Sequence, residues 1–471
     1  MSDHNGDATG LNTIVVGAGL GGLSAAIALS DIGHHVILYE AAKELVTAGA
    51  GIQVPPPSTR ILRSWGLAKE LSTKISTPKT FSFRDYQDDR LLGAIPLNPF
   101  CDDRYGAPWW CIHRADYQRV LYEASISRDT TIHLDHRVVD VDFSKPSVTV
   151  EHNGHTTTHI ADLIVGADGL RSRIRSLLLG TSDPGPNPSS ICAYRALIPS
   201  IPMEASALLS PLIDPSDIKV DVHLGPSRFM LSYPIRQSSS TQYNIVLGHP
   251  FSEGPDGPPP RFPRPASIPE IRSHYTSFSP LVQDAMALLA PEDESSYFTA
   301  GLEPKDGILE WRLSDLPELP TWSSDDGKVV LLGDAAHASL PYMSAGASLA
   351  MEDAACLAGL MKPENVKAIG LARLVKGFEA VRKERATRMG GLSRGDAMSW
   401  GLEGKAKERR DELLAFIGDE EEKWKEAMRT MEQEGVGECN FGDLEVMDWA
   451  WGYDVMVDVR DWLERAKESL T

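Results

Sequence analysis

Apolar and polar positions fall into short blocks from the first strand onward. Residues 12–40, NTIVVGAGLGGLSAAIALSDIGHHVILYE, pass from an apolar run through a glycine array into a segment rich in Ala and Leu, then into a second apolar run ending in an acid. That pattern predicts strand, glycine turn, helix and strand, a βαβ opening. Residues 56–75, with Leu62, Trp65 and Leu67 among polar positions, predict a short helix, and 111–125 (CIHRADYQRVLYEAS) a second with Val120 and Leu121 inward. Between 131 and 166, TIHLDHRVVDVDF, SVTVEH and ADLIVGADG alternate as strands do, and RSRIRSLLL opens a helix.

From 182 to 310 the texture changes to strand-like pieces (AYRALIP, IKVDVHLG, RFMLSYPIR, YNIVLGH) separated by loops rich in Pro and Ser. The stretch SEGPDGPPPRFPRP (252–265) is too rich in Pro and Gly for helix or central strand and is expected to be an exposed loop. KVVLLGDAAHASLPYMSAGASLAMEDAACLA (328–358) returns to strand, Gly-Asp turn and helix; 365–434 is charged and helical, and the last segment is a packed tail. The expected organisation is α/β. A disordered tail (1–11) precedes a discontinuous domain (12–181 and 311–364), which carries a β-rich insert (182–310) and is followed by a C-terminal helical region (365–471).

A chain of 471 residues, 42% hydrophobic and 24% charged, can bury a core large enough for two or more domains. Its net charge of -20 argues against nucleic acid or an anionic membrane as partner. The five cysteines (Cys101, Cys111, Cys192, Cys356, Cys439) form no CxxC pair and fit neither a disulfide framework nor a zinc site, so no metal is expected. The polar start MSDHNGDATG lacks a secretory apolar segment, and no apolar run reaches the ~18 residues of a membrane span. A cytoplasmic location is expected.

Three segments carry chemistry. Gly17, Gly19 and Gly22 form G-x-G-x-x-G between strand and helix, with Leu20 opening the helix; Gly19 lets a pyrophosphate approach the backbone and the helix N-terminus faces it. Ala26, Leu29, Gly33 and Val36 fall at packing positions, and Glu40 ends the second strand where a carboxylate accepts ribose hydroxyls. A glycine-rich turn in an unrelated α/β protein is the plainer alternative. No second array occurs, so one tightly held dinucleotide is expected. Asp168 and Gly169 sit at another strand-to-helix turn, where Asp168 either serves a ligand or only caps its helix. Gly333 and Asp334 end the strand VVLLG, placing an acid where it can bind a polyol. The helix beginning near Gly346 would present free N–H groups and about half a positive charge, worth about 0.3 to 2 kcal/mol to an anion.

These segments, with GAGIQVPPPSTRILRSWGL (49–67), HRADYQRVL (113–121), YRAL (194–197), SYPIR (232–236), RKERATRM and WAWGYD, resemble the single-component FAD-dependent aromatic hydroxylases, most closely a fungal salicylate hydroxylase-like branch. The resemblance runs over nearly the whole chain. It implies a Rossmann-like FAD-binding domain of the p-hydroxybenzoate hydroxylase type with an inserted β-rich substrate domain. Glu40 would bind the FAD ribose, Ala50 and Gly51 would lie beside the flavin, and Arg114 would touch the cofactor. Asp334 would hold the ribityl chain or pyrophosphate, Gly346 and Ala347 would present N–H groups to the ring, and Asp168 is linked to both FAD and the nicotinamide. NADPH or NADH would visit transiently, and O2 would add to reduced flavin as the C4a-hydroperoxide.

The resemblance points Arg195 and Tyr233 into the substrate chamber, where a guanidinium favours a phenolate and a tyrosine holds or relays its proton. Read alone, Tyr233 is a core tyrosine and Arg195 a surface ion pair. A small phenolic substrate and a monomer or homodimer are expected. Attack beside the hydroxyl gives a catechol, attack at a carboxylated carbon expels CO2, and attack at an alkylated carbon dearomatises. The rival readings are a nicotinamide-only dehydrogenase, a non-catalytic or uncoupled flavin-binding protein, and a flavin epoxidase acting on a non-aromatic secondary metabolite. One departure stands out: Ala345 occupies the place where related enzymes commonly carry Gln, so Ser344 or Ser348 would have to supply the missing contact. His337 is expected to support the turn without carrying protons, His223 and His249 to be structural, and Arg382, Arg385 and Arg388 to form a solvated helix face.

Overall fold

The computed structural model describes residues 10–45, 50–237, 240–252, 262–289, 308–415 and 440–470. Most of the tail expected at 1–11, much of the proline-rich loop and part of the helical 365–434 stretch lie outside these residues. Five parallel strands form the first sheet in the order Val329–Leu331, Leu163–Gly166, Asn12–Val16, His35–Tyr39, Thr131–His133. Parallel strands need crossovers, and the first is the helix Leu20–Asp31. This helix is buried almost all round because the sheet covers one side and the helix Gly346–Leu360 the other. A Cβ at Gly21 would lie 3.0 Å from Leu332 and 3.1 Å from Ala350, so absent side chains set how closely the layers meet.

The second sheet has eight strands in the order Arg264–Ala266, Ile308–Asp315, Asn187–Pro199, Ser240–Pro250, Arg228–Gln237, Lys219–Gly225, Thr80–Asp85, Leu91–Pro96. It reaches beyond the 182–310 insert read from the sequence. Thr80–Asp85 and Leu91–Pro96 come from the stretch assigned above to the first unit, and Ile308–Asp315 crosses the boundary expected at 310. Thr80–Asp85 pairs in parallel with Lys219–Gly225, a contact between distant segments that no local pattern announces. Pro265 lies on the edge strand, where its missing N–H leaves no ladder bond unmade.

The stretch expected as helix from 111 begins instead as the strand Trp110–His113, antiparallel to Gly51–Val54, and turns helical at Arg114. Tertiary pairing overrides local preference there. The helix Leu371–Trp400 packs on Gly346–Leu360, and the last helix, Val455–Glu468, packs on both. Trp462 fills the space above Gly377, where a Cβ would come within 2.4 Å of its ring. Cys101, Cys111, Cys192 and Cys356 are buried and unpaired, and among the described residues no helix is long and apolar enough to cross a membrane.

Candidate functional site: a dinucleotide cradle joined to an aromatic chamber

The glycine turn is built by collision. Gly17 has φ +104, and a Cβ there would sit 2.6 Å from the Ala167 carbonyl oxygen; one at Gly22 would sit 1.9 Å from the Gly17 oxygen. Gly19 is different, because a Cβ there would meet nothing within 4 Å. It points into a cavity of about 360 Å³ that runs from this helix start past Arg114 and Asp334 to Gly346 and Ala347, and on to Arg195 and Tyr233. Gly346 also faces open space, and neither the helix at Leu20 nor that at Gly346 has a side-chain cap or an acid in its first turn. Two uncapped helix starts therefore aim unpaired N–H groups at one cleft.

Between them, Asp334 projects into the cavity while enclosed by protein. That enclosure pushes its carboxyl above the ordinary range, against the pull of His337 and Arg114. Burial likewise lowers Arg114, opposed by Asp334. Beneath the turn, Asp353 Oδ2 accepts the Gly333 N–H at 3.0 Å and lies 2.6 Å from His337 Nε2, and Arg382 Nε reaches Asp353 Oδ1 at 2.8 Å. His337 thus supports the turn as expected.

Arg382 and Arg385 correct the solvated-face reading. They are 0% and 6% exposed and clasp Glu352 at 2.8 and 2.7 Å, because Gly346–Leu360 turns Glu352 and Asp353 toward their helix. Arg388 instead lies over the Trp449 ring, 4.0 Å from its centroid.

Two expected ligands are directed elsewhere in part. Glu40 accepts the backbone N–H of Ala18 at 2.6 Å and of Ala42 at 2.7 Å, fastening the glycine turn to the strand end; each oxygen keeps a second lone pair. Asp168 accepts from Ser172 Oγ at 2.5 Å and from the N–H groups of Arg173 and Ile174, the local capping arrangement, and its side chain is not part of the cavity wall.

The far end of the cavity is an aromatic chamber. Trp400 makes edge contacts with Phe229 and Tyr342, with centroids 5.3 and 5.0 Å apart. Arg195 and Tyr233 share this space, and among the described residues neither has a hydrogen bond or ion pair. Burial lowers the Arg195 guanidinium, opposed by Tyr233 and reinforced by Arg114; burial raises the Tyr233 hydroxyl far enough to keep its proton. Alternation along Asn187–Pro199 points Ala193 and Arg195 inward and Cys192 and Tyr194 to the other face. On that other face His249 lies 3.2 Å from Glu310, which Arg264 also pairs, and His223 bonds Asp89 at 2.6 Å, so neither histidine faces the chamber.

Gly51 joins the two ends. Its N–H donates to Asn244 Oδ1 at 2.7 Å, and a Cβ there would lie 2.6 Å from Tyr233 Cε2. Of the two serines near Ala345, Ser344 lines the cavity and Ser348 bonds Glu352 at 3.3 Å. Sequence reasoning missed Gln53, Asn244 and the Glu352–Arg385 pair; only the alternation of Gln53 with Gly51 hinted at the first.

A cleft with two helix starts, an acid and a cation between them and, among the described residues, no protein partner for its inward N–H groups fits a flavin dinucleotide. These features define an FAD-binding fold joined to an aromatic-lined chamber. The "FAD binding domain" family model matches residues 11–274. The 6-hydroxynicotinate 3-monooxygenase of Pseudomonas fluorescens is 33% identical over 379 residues, covering 80% of this chain and 89% of that one. The hispidin-3-hydroxylase of Neonothopanus nambi is 30% identical over 425 residues, covering 86% and 94%. A salicylate hydroxylase in its substrate complex superposes with a TM-score of 0.68 at 24% identity, covering 97% of this chain and 98% of that one. The chain belongs to the FAD-binding-domain family, and it is an FAD-dependent monooxygenase of the aromatic-hydroxylase type.

Proposed function

We propose that this protein hydroxylates a phenolic or hydroxybenzoate-type ring at the expense of NADPH or NADH. The observation that carries the reading is the pair Arg195 and Tyr233, unpartnered and facing the cavity that Gly346 and Asp334 also line. FAD, when bound, supplies acceptance of a hydride from the nicotinamide and activation of O2 for transfer of one oxygen atom. The chain supplies the rest.

The helix starts at Leu20 and Gly346, with Asp334 and Arg114 between them, would hold the cofactor. Phe229, Tyr342 and Trp400 exclude water around the substrate ring. Arg195 places a positive charge beside the phenolic oxygen, which lowers its pKa and makes the ring more electron-rich. Tyr233 stays protonated, so it donates a hydrogen bond to that oxygen and does not remove a proton from it. Decarboxylation or dearomatisation follows from which carbon Arg195 and Tyr233 present to the cofactor.

The test is a panel of phenolic acids scored for stimulated NAD(P)H consumption, with products identified by mass gaining one oxygen. A yellow protein whose NAD(P)H consumption no phenol accelerates would remove this reading.

A further inference from the structure

We propose that Gln53 reads the neutral O–H or N–H group of the substrate ring, an inference that rests on the hydroxylation proposed above. Gln53 is 6% exposed and lines the chamber, yet its amide makes no hydrogen bond among the described residues, and Oε1 is fully enclosed. A buried amide left unpaired in the free protein is costly unless a ligand completes it. Its place in the fold says which ligand. Gln53 lies two residues beyond Gly51 in the strand Gly51–Val54, so both face the same way, and the Gly51 face abuts the Tyr233 ring. Cys111 stands opposite Gln53 in the ladder with the strand Trp110–His113. The Asn244–Gly51 hydrogen bond anchors the strand, so the amide is presented from a fixed backbone.

The chemistry is complementary to what Arg195 offers. A guanidinium carries donors alone, so it recognises an anionic oxygen but cannot accept from an O–H or N–H. The Gln53 amide supplies the acceptor once it turns about its last side-chain torsion, which exchanges the enclosed Oε1 with Nε2. A ring with an ionised oxygen at Arg195 and a neutral donor at Gln53 satisfies both walls, and an ether in place of that donor leaves the amide unpaired.

The holoenzyme tests this with rings that carry two hydroxyls, 2,3-, 2,4- and 2,5-dihydroxybenzoate, each against its mono-O-methyl ethers so that one hydroxyl stays free for Arg195, with affinity read from the change in flavin absorbance. The wild type is expected to prefer the best-responding hydroxy compound, and Gln53→Met, close in size but without an amide, to lose about 5- to 150-fold of that preference. Flavin absorbance before ligand and FAD retention should not change. Should Gln53→Met fail to hold FAD, Gln53→Asn, one methylene shorter, carries the same expectation. A preference kept in the variant overturns the inference, as does a shifted ligand-free flavin spectrum with the preference intact, which would place the amide on the cofactor. A wild type unresponsive to the whole panel removes the hydroxylase reading and this inference with it, whereas a responsive wild type with an indifferent variant removes this inference alone.

Discussion

His337 Nε2 stands 2.6 Å from Asp353 Oδ2, the oxygen that also receives the Gly333 N–H, so one buried carboxylate sets the turn that aims Asp334. The same carboxylate pairs with Arg382, which is wholly buried. Asp353→Ala leaves Arg382 with Glu352 as its remaining carboxylate and the Gly333 N–H without its acceptor, and removing one partner of a buried pair costs about 3–5 kcal/mol. Urea unfolding should show a loss of this size, with weaker FAD retention in the folded fraction.

Acid should expose the same group. Burial alone would raise the Asp353 carboxyl, but His337 and Arg382 overcome it and hold it at about 2. A depressed carboxylate stabilises the fold above its unfolded pKa, near 3.8, and loses that contribution as pH falls toward 2. The loss is about 2 kcal/mol over that window. Asp353→Asn should lack this component, which unfolding midpoints measured across the window would reveal.

Two glycines of one motif should behave oppositely. Gly22→Ala drives a Cβ into the Gly17 carbonyl at 1.9 Å and should unfold the domain or lower its melting temperature sharply. At Gly19 an added Cβ has no protein atom within 4 Å, so in Gly19→Val apoprotein stability should stay near wild type while FAD binding is lost. Melting curves with and without FAD separate the two.

On the proposed function, Arg195→Ala removes the positive charge that would face the phenolic oxygen. A hydrogen bond to a charged group is worth about 1.5–3 kcal/mol, so kcat/KM should fall about 10- to 150-fold. The pKa of the bound phenol, followed by absorbance, should rise. Tyr233→Phe should cost less and leave the pH dependence of that ionisation in place.

Gly51→Ala puts a methyl group 2.6 Å from Tyr233 Cε2 and 3.0 Å from Asn244 Cγ. The tyrosine ring must move, so the ratio of hydroxylated product to wasted NAD(P)H should drop while FAD stays bound. Product yield per NAD(P)H consumed checks it.

The βαβ opening, the Gly-Asp turn and the helix at Gly346 were legible because each is a local arrangement in which a strand, a small residue and a helix start follow one another within a few positions. Their joining around one cavity was legible only through resemblance, since nothing in the order of residues states that Gly19 and Gly346 face the same space. Arg382 and Arg385 were misread because burial depends on what packs opposite, whereas Arg388 is exposed. A charged helix face looks solvated until Glu352 and Asp353 are turned toward it.

The chain alone determined that backbone must approach something closely at Gly19 and that an acid, Asp334, follows the end of a strand, because these follow from short-range sterics and hydrogen bonding. Only the tertiary structure decided that Thr80–Asp85 joins the second sheet, that Asp168 turns to its own helix, and that Gly51, Gln53 and Tyr233 share a wall. Those outcomes depend on contacts between segments far apart in sequence, where packing against a specific neighbour outweighs any local preference.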